Sequence, residues 1–511
     1  MLTVYVPTIV LVMNATGIEG LYTFNGKNSS MKRVIFMRNQ TKHFINGEWT
    51  DSTGSETIDV INPATEEVMG TISSGTEEDL DKAVKAARAA FPSFSRSTKE
   101  ERIQWLKNIA EGYEARKDEL IEVMTDELGS PLSVSEEVHF AAGLGHFRQA
   151  AECLEDFSFT EDRDGHTLMK ESIGVSGLIT PWNFPTNQTS TKIASAIAAG
   201  SPVVLKPASK TPFAAMILAE IIDEAGVPKG AFNLVNGTGS VIGNGISSHP
   251  GIDFVSFTGS GAVGEKIMQN AAETIKKVAL ELGGKSPLIV LDDADVKEAA
   301  KTALSSIMTN TGQVCSAGTR VFIPQSMKED FEKTIVEMLE EFPVGDPRKE
   351  GVATGPLVSE DQWETVQSYI EKGEKEATVL AGGTGKPEGL ETGYFARPTI
   401  FTDVSHDAVI AQEEIFGPVT TLFTYEDVDQ AIEMANDTIY GLAGYIVGND
   451  PETIRHVASN IRAGRIKINN AKTDFNGPFG GYKQSGIGRE WGDFGIEEYL
   501  EIKSVHGLPS S

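Results

Sequence analysis

Cysteine is scarce in this chain of 511 residues, and Cys153 and Cys315 are its only two. They are too few and too far apart for the disulfide framework of a secreted domain or for a zinc cluster. A reducing, cytoplasmic setting is expected, with no metal. Basic residues are also in short supply, 44 Lys and Arg against 73 Asp and Glu, which gives a formal net charge of -29. That balance repels nucleic acid phosphates and acidic membrane surfaces, so neither is an expected partner. An anionic cofactor then needs a local pocket of favourable charge. Long apolar runs are missing as well: Val4 to Val12 is interrupted by Pro7, has no basic flank, and is shorter than the roughly 20 residues a bilayer demands. Nor is there an internal repeat or a low-complexity linker.

What is present is length, beyond the usual limit of one hydrophobic core, so two or more domains are expected. Residues 1–36 differ from the rest in composition and read as a non-native or disordered extension, with Met31 and Met37 as alternative starts. Phe44 to Trp49 reads as the first strand and turn of the folded part. From Glu77 to His146 helical spacing dominates, with Ala83, Val84 and Ala87, then Ile103, Leu106 and Ile109, on apolar faces. From Val175 strands and helices alternate: strands at Val175 to Thr180, Val203 to Lys206, Phe232 to Val235 and Phe254 to Phe257, and a helix opened by Thr211 and Pro212. Another helix carries Val263, Ile267, Ala271 and Ile275 as its apolar stripe. Such alternation predicts a parallel, doubly wound α/β sheet. A second α/β series starts after Gly283-Gly284, with a strand at Leu288 to Leu291 and a helix at Val296 to Met308, and runs to about Ile468. The tail from Glu497 to Val505 reads as a last strand, suited to subunit pairing.

Gly259-Ser-Gly261-Ala-Val-Gly264 fits G-x-G-x-x-G between a strand and a helix, where backbone N–H groups and the helix dipole receive a pyrophosphate. The same string could be only a tight turn. Read literally, the fingerprint assigns Glu281, 281 − 264 = 17 residues on, to a ribose hydroxyl.

The company Glu281 keeps argues against that assignment. Leu280-Glu-Leu-Gly-Gly-Lys-Ser-Pro287 precedes Gly312-Gln-Val-Cys315, and the chain also carries Pro181-Trp-Asn-Phe-Pro185, Lys206-Pro207, Phe257-Thr-Gly-Ser260, Glu413-Glu-Ile-Phe-Gly-Pro418 and Pro478-Phe-Gly-Gly-Tyr-Lys483. In this order, from about Phe44 to Val505, they resemble the aldehyde dehydrogenase superfamily. The resemblance implies a Rossmann-like parallel-sheet cofactor domain (37–153 and 173–283), an α/β catalytic domain (284–484) and a small β oligomerisation element (154–172 and 485–511). It implies a homodimer or homotetramer acting on a small-molecule aldehyde and water, with NAD or NADP.

The same resemblance implies roles. Cys315 would be the nucleophile, its thiolate favoured by its surroundings, because a carbonyl carbon loses hydride only after an adduct forms. Asn183 would donate to the oxyanion with the Cys315 N–H, and Glu281, its pKa raised by burial, would activate the water that hydrolyses the thioester. Glu281 also argues against relatives that pass the acyl group to coenzyme A. Lys192 and Glu490 match proton-relay positions, although each could be an ordinary charged surface residue. The cofactor would meet Thr180, Pro181, Trp182, Lys206, Ser209, Gly239, Phe257, Thr258, Gly259, Ser260, Val263, Leu282, Gly283, Glu414 and Phe416. Ser209 replaces the Glu of NAD-preferring members, and with Lys210 nearby it makes NADP credible. Phe184, Gln188, Thr191, Val314, Ser316 and Phe479 would line the substrate tunnel. No arginine pair announces a dicarboxylic semialdehyde. Cys153 reads as a structural residue.

Overall fold

The computed structural model describes residues 38–508 and the backbone of 8–14, 17–24 and 32–34. Met31, Met37 and residues 1–7 lie outside the described residues. Thr8–Asn14, Gly17–Phe24 and Lys32–Val34 form an antiparallel three-stranded sheet that, among the described residues, pairs with no other sheet.

The N-terminal helices fall where the apolar spacing puts them. Glu77–Phe94 and Lys99–Ala115 each open on a reciprocal cap, Thr76 with Asp79 and Thr98 with Glu101, in which a hydroxyl and a carboxylate satisfy backbone donors in both directions. Ala83, Val84 and Ala87 are buried in one apolar cluster and Leu106 and Ile109 in another, on which Ile103 packs half-buried. The first of these helices packs on an eight-stranded sheet. Its central strands are parallel, in the order Lys277–Glu281, Phe254–Thr258, Ser176–Ile179, Val203–Lys206, Phe232–Leu234. The hairpin Lys42–Ile45 and Glu48–Asp51 closes one edge, and the short Gly486–Ile487 closes the other beside Glu281.

Two local expectations are corrected. The helix after Thr211 and Pro212 spans Phe213–Glu224, yet neither side chain caps it. Its first N–H groups, of Phe213 and Ala214, donate to the Glu127 carboxylate at 2.8 and 3.1 Å, while the Thr211 hydroxyl donates to the Trp182 carbonyl. This helix end is buried against the helix Lys117–Leu128, and there a carboxylate from across the core reaches the donors. The helix carrying the glycine motif ends at Ala272, so Ile275 lies in the following turn at φ 55° and 92% exposed. Ile267 and Ala271 are buried as expected, but Val263 is 48% exposed. The helix instead approaches the sheet through Gly264, where a Cβ would strike Leu282.

The second α/β unit is a seven-stranded sheet: Thr378–Ala381, Thr399–Thr402, Val419–Tyr425, Arg320–Pro324, Pro287–Val290, Ala443–Val447 and Arg465–Ile468, parallel except at the first pair. The tail does form a strand, Leu500–His506, at the edge of a separate sheet with His166–Ser172 and Thr160–Arg163. No helix among the described residues is long and apolar enough to cross a membrane.

Candidate active site

Two cavities meet at Cys315. The smaller, about 230 Å³, lies at the ends of the first sheet's parallel strands and is lined by Pro181, Trp182, Asn183, Thr258, Gly259, Ser260, Glu281, Leu282 and Gly283 from that unit. Glu414, Phe416 and Gln362 close it from the second unit. The larger, about 480 Å³, is lined by Phe184, Gln188, Val314, Ser316 and Phe479 among others, and Cys315 belongs to both walls.

The loop bearing Cys315 has a demanding backbone. Asn310, Thr311 and Gly312 have φ of 50°, 58° and 70°, three left-handed residues in succession, a conformation that persists only under tight constraint. Side chains supply the constraint. Asn310 Nδ2 donates to the Asn183 and Gln313 carbonyls, Gln313 Nε2 donates to the Asn310 carbonyl, and Gln313 Oε1 accepts from the Val358 N–H. At Gly312 a Cβ would run into the Gly417 carbonyl, so glycine is required there.

Asn183 is buried, and its Nδ2 donates one hydrogen bond to the Gln313 carbonyl at 2.9 Å, which fixes the amide plane. One N–H of that amide is left for a ligand. Glu281 ends its strand 4% exposed, with Oε2 lacking any hydrogen-bond partner. Burial, then the nearby Glu490 carboxylate, hold its pKa well above the ordinary range, against the pull of Lys192. Lys192 and Glu490 form a buried ion pair, and Lys192 also donates to the Ser256 hydroxyl at 2.8 Å. The expectation for the thiol is reversed. Burial foremost, with Glu414 and Glu281, pushes Cys315 up to about 12, and Arg465 is the charge that opposes them.

The smaller cavity has the features a dinucleotide requires. The helix Gly261–Ala272 begins at Ser260 with no side-chain cap, so its first N–H groups stay available. The Thr258 hydroxyl is buried without a partner. A Cβ at Gly283 would collide with the Glu414 carboxylate, which accepts from the Gly284 N–H at 3.1 Å and is raised to about 7 by burial. Phe416 meets the edge of Trp182, ring centroids 5.3 Å apart.

Several expected cofactor contacts stand outside this cavity's lining. Thr180 and Phe257 are buried beneath it, Phe257 packing on Gly259. Val263 is exposed on the first helical turn, and a Cβ at Gly239 would meet nothing. Lys206 is buried, donates to the Pro207 carbonyl at 2.9 Å, and is lowered to about 8 by burial. The Ser209 hydroxyl donates to the Gly237 carbonyl at 2.9 Å, and Lys210 turns to the Ser359 hydroxyl and Asp361. On the substrate side, Thr191 is 3% exposed inside its helix and lines neither cavity. Its neighbour one turn earlier, Gln188, does face the larger one, with Oε1 unpartnered. Cys153 is half-buried, hydrogen-bonded to Gln149, and lines neither of Cys315's cavities.

Sequence reasoning missed Gln362, Trp491, Arg465 and Lys467, all of which line one cavity or the other. Gln362 comes from a helix of the second unit and gives no local signal. Arg465 and Lys467, two apart on a strand, could have been found from the period-2 alternation.

A sequence model of the aldehyde dehydrogenase family matches residues 49–505. A Staphylococcus haemolyticus protein named as an aldehyde dehydrogenase is 60% identical over 472 residues, covering 92% of this chain and 99% of the relative. Aldehyde dehydrogenase C of Pseudomonas syringae, solved as a cysteine-to-alanine mutant with NAD+ and octanal, is 42% identical with a TM-score of 0.91, covering 92% of this chain and 98% of that one. Betaine aldehyde dehydrogenase of Staphylococcus aureus, solved with NAD+, is 38% identical with a TM-score of 0.89, covering 92% and 96%. The family match spans both α/β units, and on that ground this chain belongs to the aldehyde dehydrogenase family.

Proposed function

We propose that the chain oxidises an aldehyde to a carboxylic acid with NAD or NADP, through a thiohemiacetal and then a thioester on Cys315, which water hydrolyses. The observation that carries this reading is that Cys315 lines both cavities. One sulfur can thus meet a carbonyl entering by the larger and a hydride acceptor held in the smaller. The oxidised nicotinamide supplies, when bound, that acceptor and a positive charge beside the thiol.

The protein's own groups do the rest. Ser260, the helix N-terminus behind it and Thr258 hold phosphate and ribose, and the Glu414 carboxylate accepts from ribose hydroxyls. With its pKa near 12, Cys315 gives up its proton to solvent before attack, a loss that the nicotinamide charge would favour. The free Asn183 N–H and the Cys315 N–H stabilise the oxyanion, where losing one donor typically costs about 2.7–4 kcal/mol. Glu281 then takes a proton from the hydrolytic water, and the Lys192–Glu490 pair carries it away.

The test separates the two steps. Cys315→Ala should abolish even a single turnover of reduced cofactor. Glu281→Gln should retain a burst approaching one equivalent per site while steady turnover falls. Normal turnover by Cys315→Ala would overturn the reading, and an acyl-coenzyme A product in place of the free acid would overturn hydrolysis.

A further inference from the structure

The strand Arg465–Ile468 turns Arg465 and Lys467 to the same face, since side chains alternate along a strand, and both line the larger cavity. Neither has a carboxylate partner among the described residues. Arg465 Nε is buried with no hydrogen-bond partner, and Nη2 comes only to 3.5 Å of the Ser316 hydroxyl. Lys467 donates to the Thr473 hydroxyl at 3.3 Å, and its pKa is lowered by burial and then by Arg465 itself. Of the side chains lining the cavity, Glu137 alone is a carboxylate. Two adjacent cations facing one cavity, in a chain of net charge -29, are costly unless an anion joins them.

A second observation narrows the ligand. Phe479 and Trp491 are stacked with centroids 4.7 Å apart, and together they would offer the aromatic faces that a quaternary ammonium aldehyde uses. The Arg465 guanidinium already lies over both, 5.0 Å from one centroid and 5.5 Å from the other. The place of a cationic substrate group is therefore filled by the protein. The reach of Arg465 to Ser316, next to the nucleophile, also limits the span between the reacting carbonyl and any group the guanidinium holds.

We propose that the substrate is a short-chain oxo acid, an aldehyde whose far end is a carboxylate held by Arg465 and Lys467. The proposal rests on the oxidation read above and adds the class of aldehyde. A planar guanidinium matches a carboxylate with two parallel hydrogen bonds, and Lys467 adds a point charge beside it.

The experiment compares kcat/KM at saturating NAD+ for 4-oxobutanoate, butanal, betaine aldehyde and glyceraldehyde 3-phosphate. Wild type should favour 4-oxobutanoate over butanal by about tenfold or more, as a charge-assisted pair requires. Arg465→Gln should cut the ratio of those two values by about tenfold or more, with the loss mainly in KM, and Arg465→Lys should restore part of it. Lys467→Gln, a second variant on the strand, should cut the same ratio by a smaller factor. Preference for butanal, betaine aldehyde or the phosphate ester would overturn the proposal, as would an unchanged ratio in folded variants of both positions. Oxidation of butanal but not of the oxo acid defeats the substrate class alone, whereas oxidation of none of the four defeats the underlying reaction.

Discussion

At the scale of the residue, the proposed role of Glu281 ties the rate of thioester release to its titration. A base whose pKa is raised by burial and by Glu490 is protonated over more of the neutral range, so hydrolysis slows as pH falls through that raised value. Steady-state kcat measured from about pH 5 to about pH 9 should rise with pH. In Glu281→Gln the same profile should lose that step, while the burst persists. We infer that cofactor choice turns on Ser209. Its hydroxyl and Lys210 are both engaged inside the protein, which leaves few donors for a 2′-phosphate, so NAD should serve better than NADP, with both accepted. Ser209→Glu should lower the NADP-to-NAD ratio of kcat/KM by about tenfold or more, since a charge-assisted hydrogen bond is worth roughly 1.5–3 kcal/mol and repulsion adds to the loss. An unmoved ratio would place residue 209 away from the ribose. The motifs made Cys315, Glu281 and Asn183 legible in the sequence as neighbours. They did not reveal that the thiol is pushed up, because that effect comes from burial and from Glu414, which lies 99 residues away (414 − 315).

At the scale of the element, four of the first sheet's parallel strands were legible almost to their ends, because a strand buried on both faces reads as an uninterrupted apolar run, whereas Lys277–Glu281, which opens on half-buried Lys277 and Val278, was not read as a strand. Val203–Lys206 falls as the sequence predicts, and Phe254–Thr258 extends by one residue. The cap of the helix Phe213–Glu224 was not legible, since Glu127 acts across the core and Thr-Pro is an equally good local start. Glu127→Ala leaves two buried N–H groups unpaired and should cost about 3 kcal/mol, seen as a lower thermal midpoint. Burial raises Glu127 from 4.5 to about 8, despite its two N–H bonds. The folded state therefore keeps a proton that the unfolded state loses, and this contribution is full below pH 4.5 and lost as pH rises through about 8. The midpoint of wild type should fall more steeply across that window than that of Glu127→Gln.

At the scale of the whole molecule, the sheet formed by Thr8–Asn14, Gly17–Phe24 and Lys32–Val34 pairs with neither α/β unit. Deleting residues 1–36 should leave kcat/KM unchanged, and loss of soluble, active protein would show that the segment belongs to the fold. Association should run through the other free-standing sheet. Leu500–His506 is its edge strand and carries Ile502 at 67% exposure, an apolar side chain on an unpaired edge. Light scattering should give a dimer or tetramer, and Ile502→Lys should shift it towards monomer. A last consequence follows from the short strand Gly486–Ile487, which seals the first sheet beside Glu281 and leads to Glu490. The ribosome makes it 486 − 281 = 205 residues after the base it covers, a delay of about 10–40 s at ordinary rates of synthesis. During that interval Cys315 is already made while the walls that bury Glu281 are incomplete. The cavity beside Glu281 thus closes late in synthesis, and a chain released before Gly486 carries Glu281 and Cys315 without that edge strand.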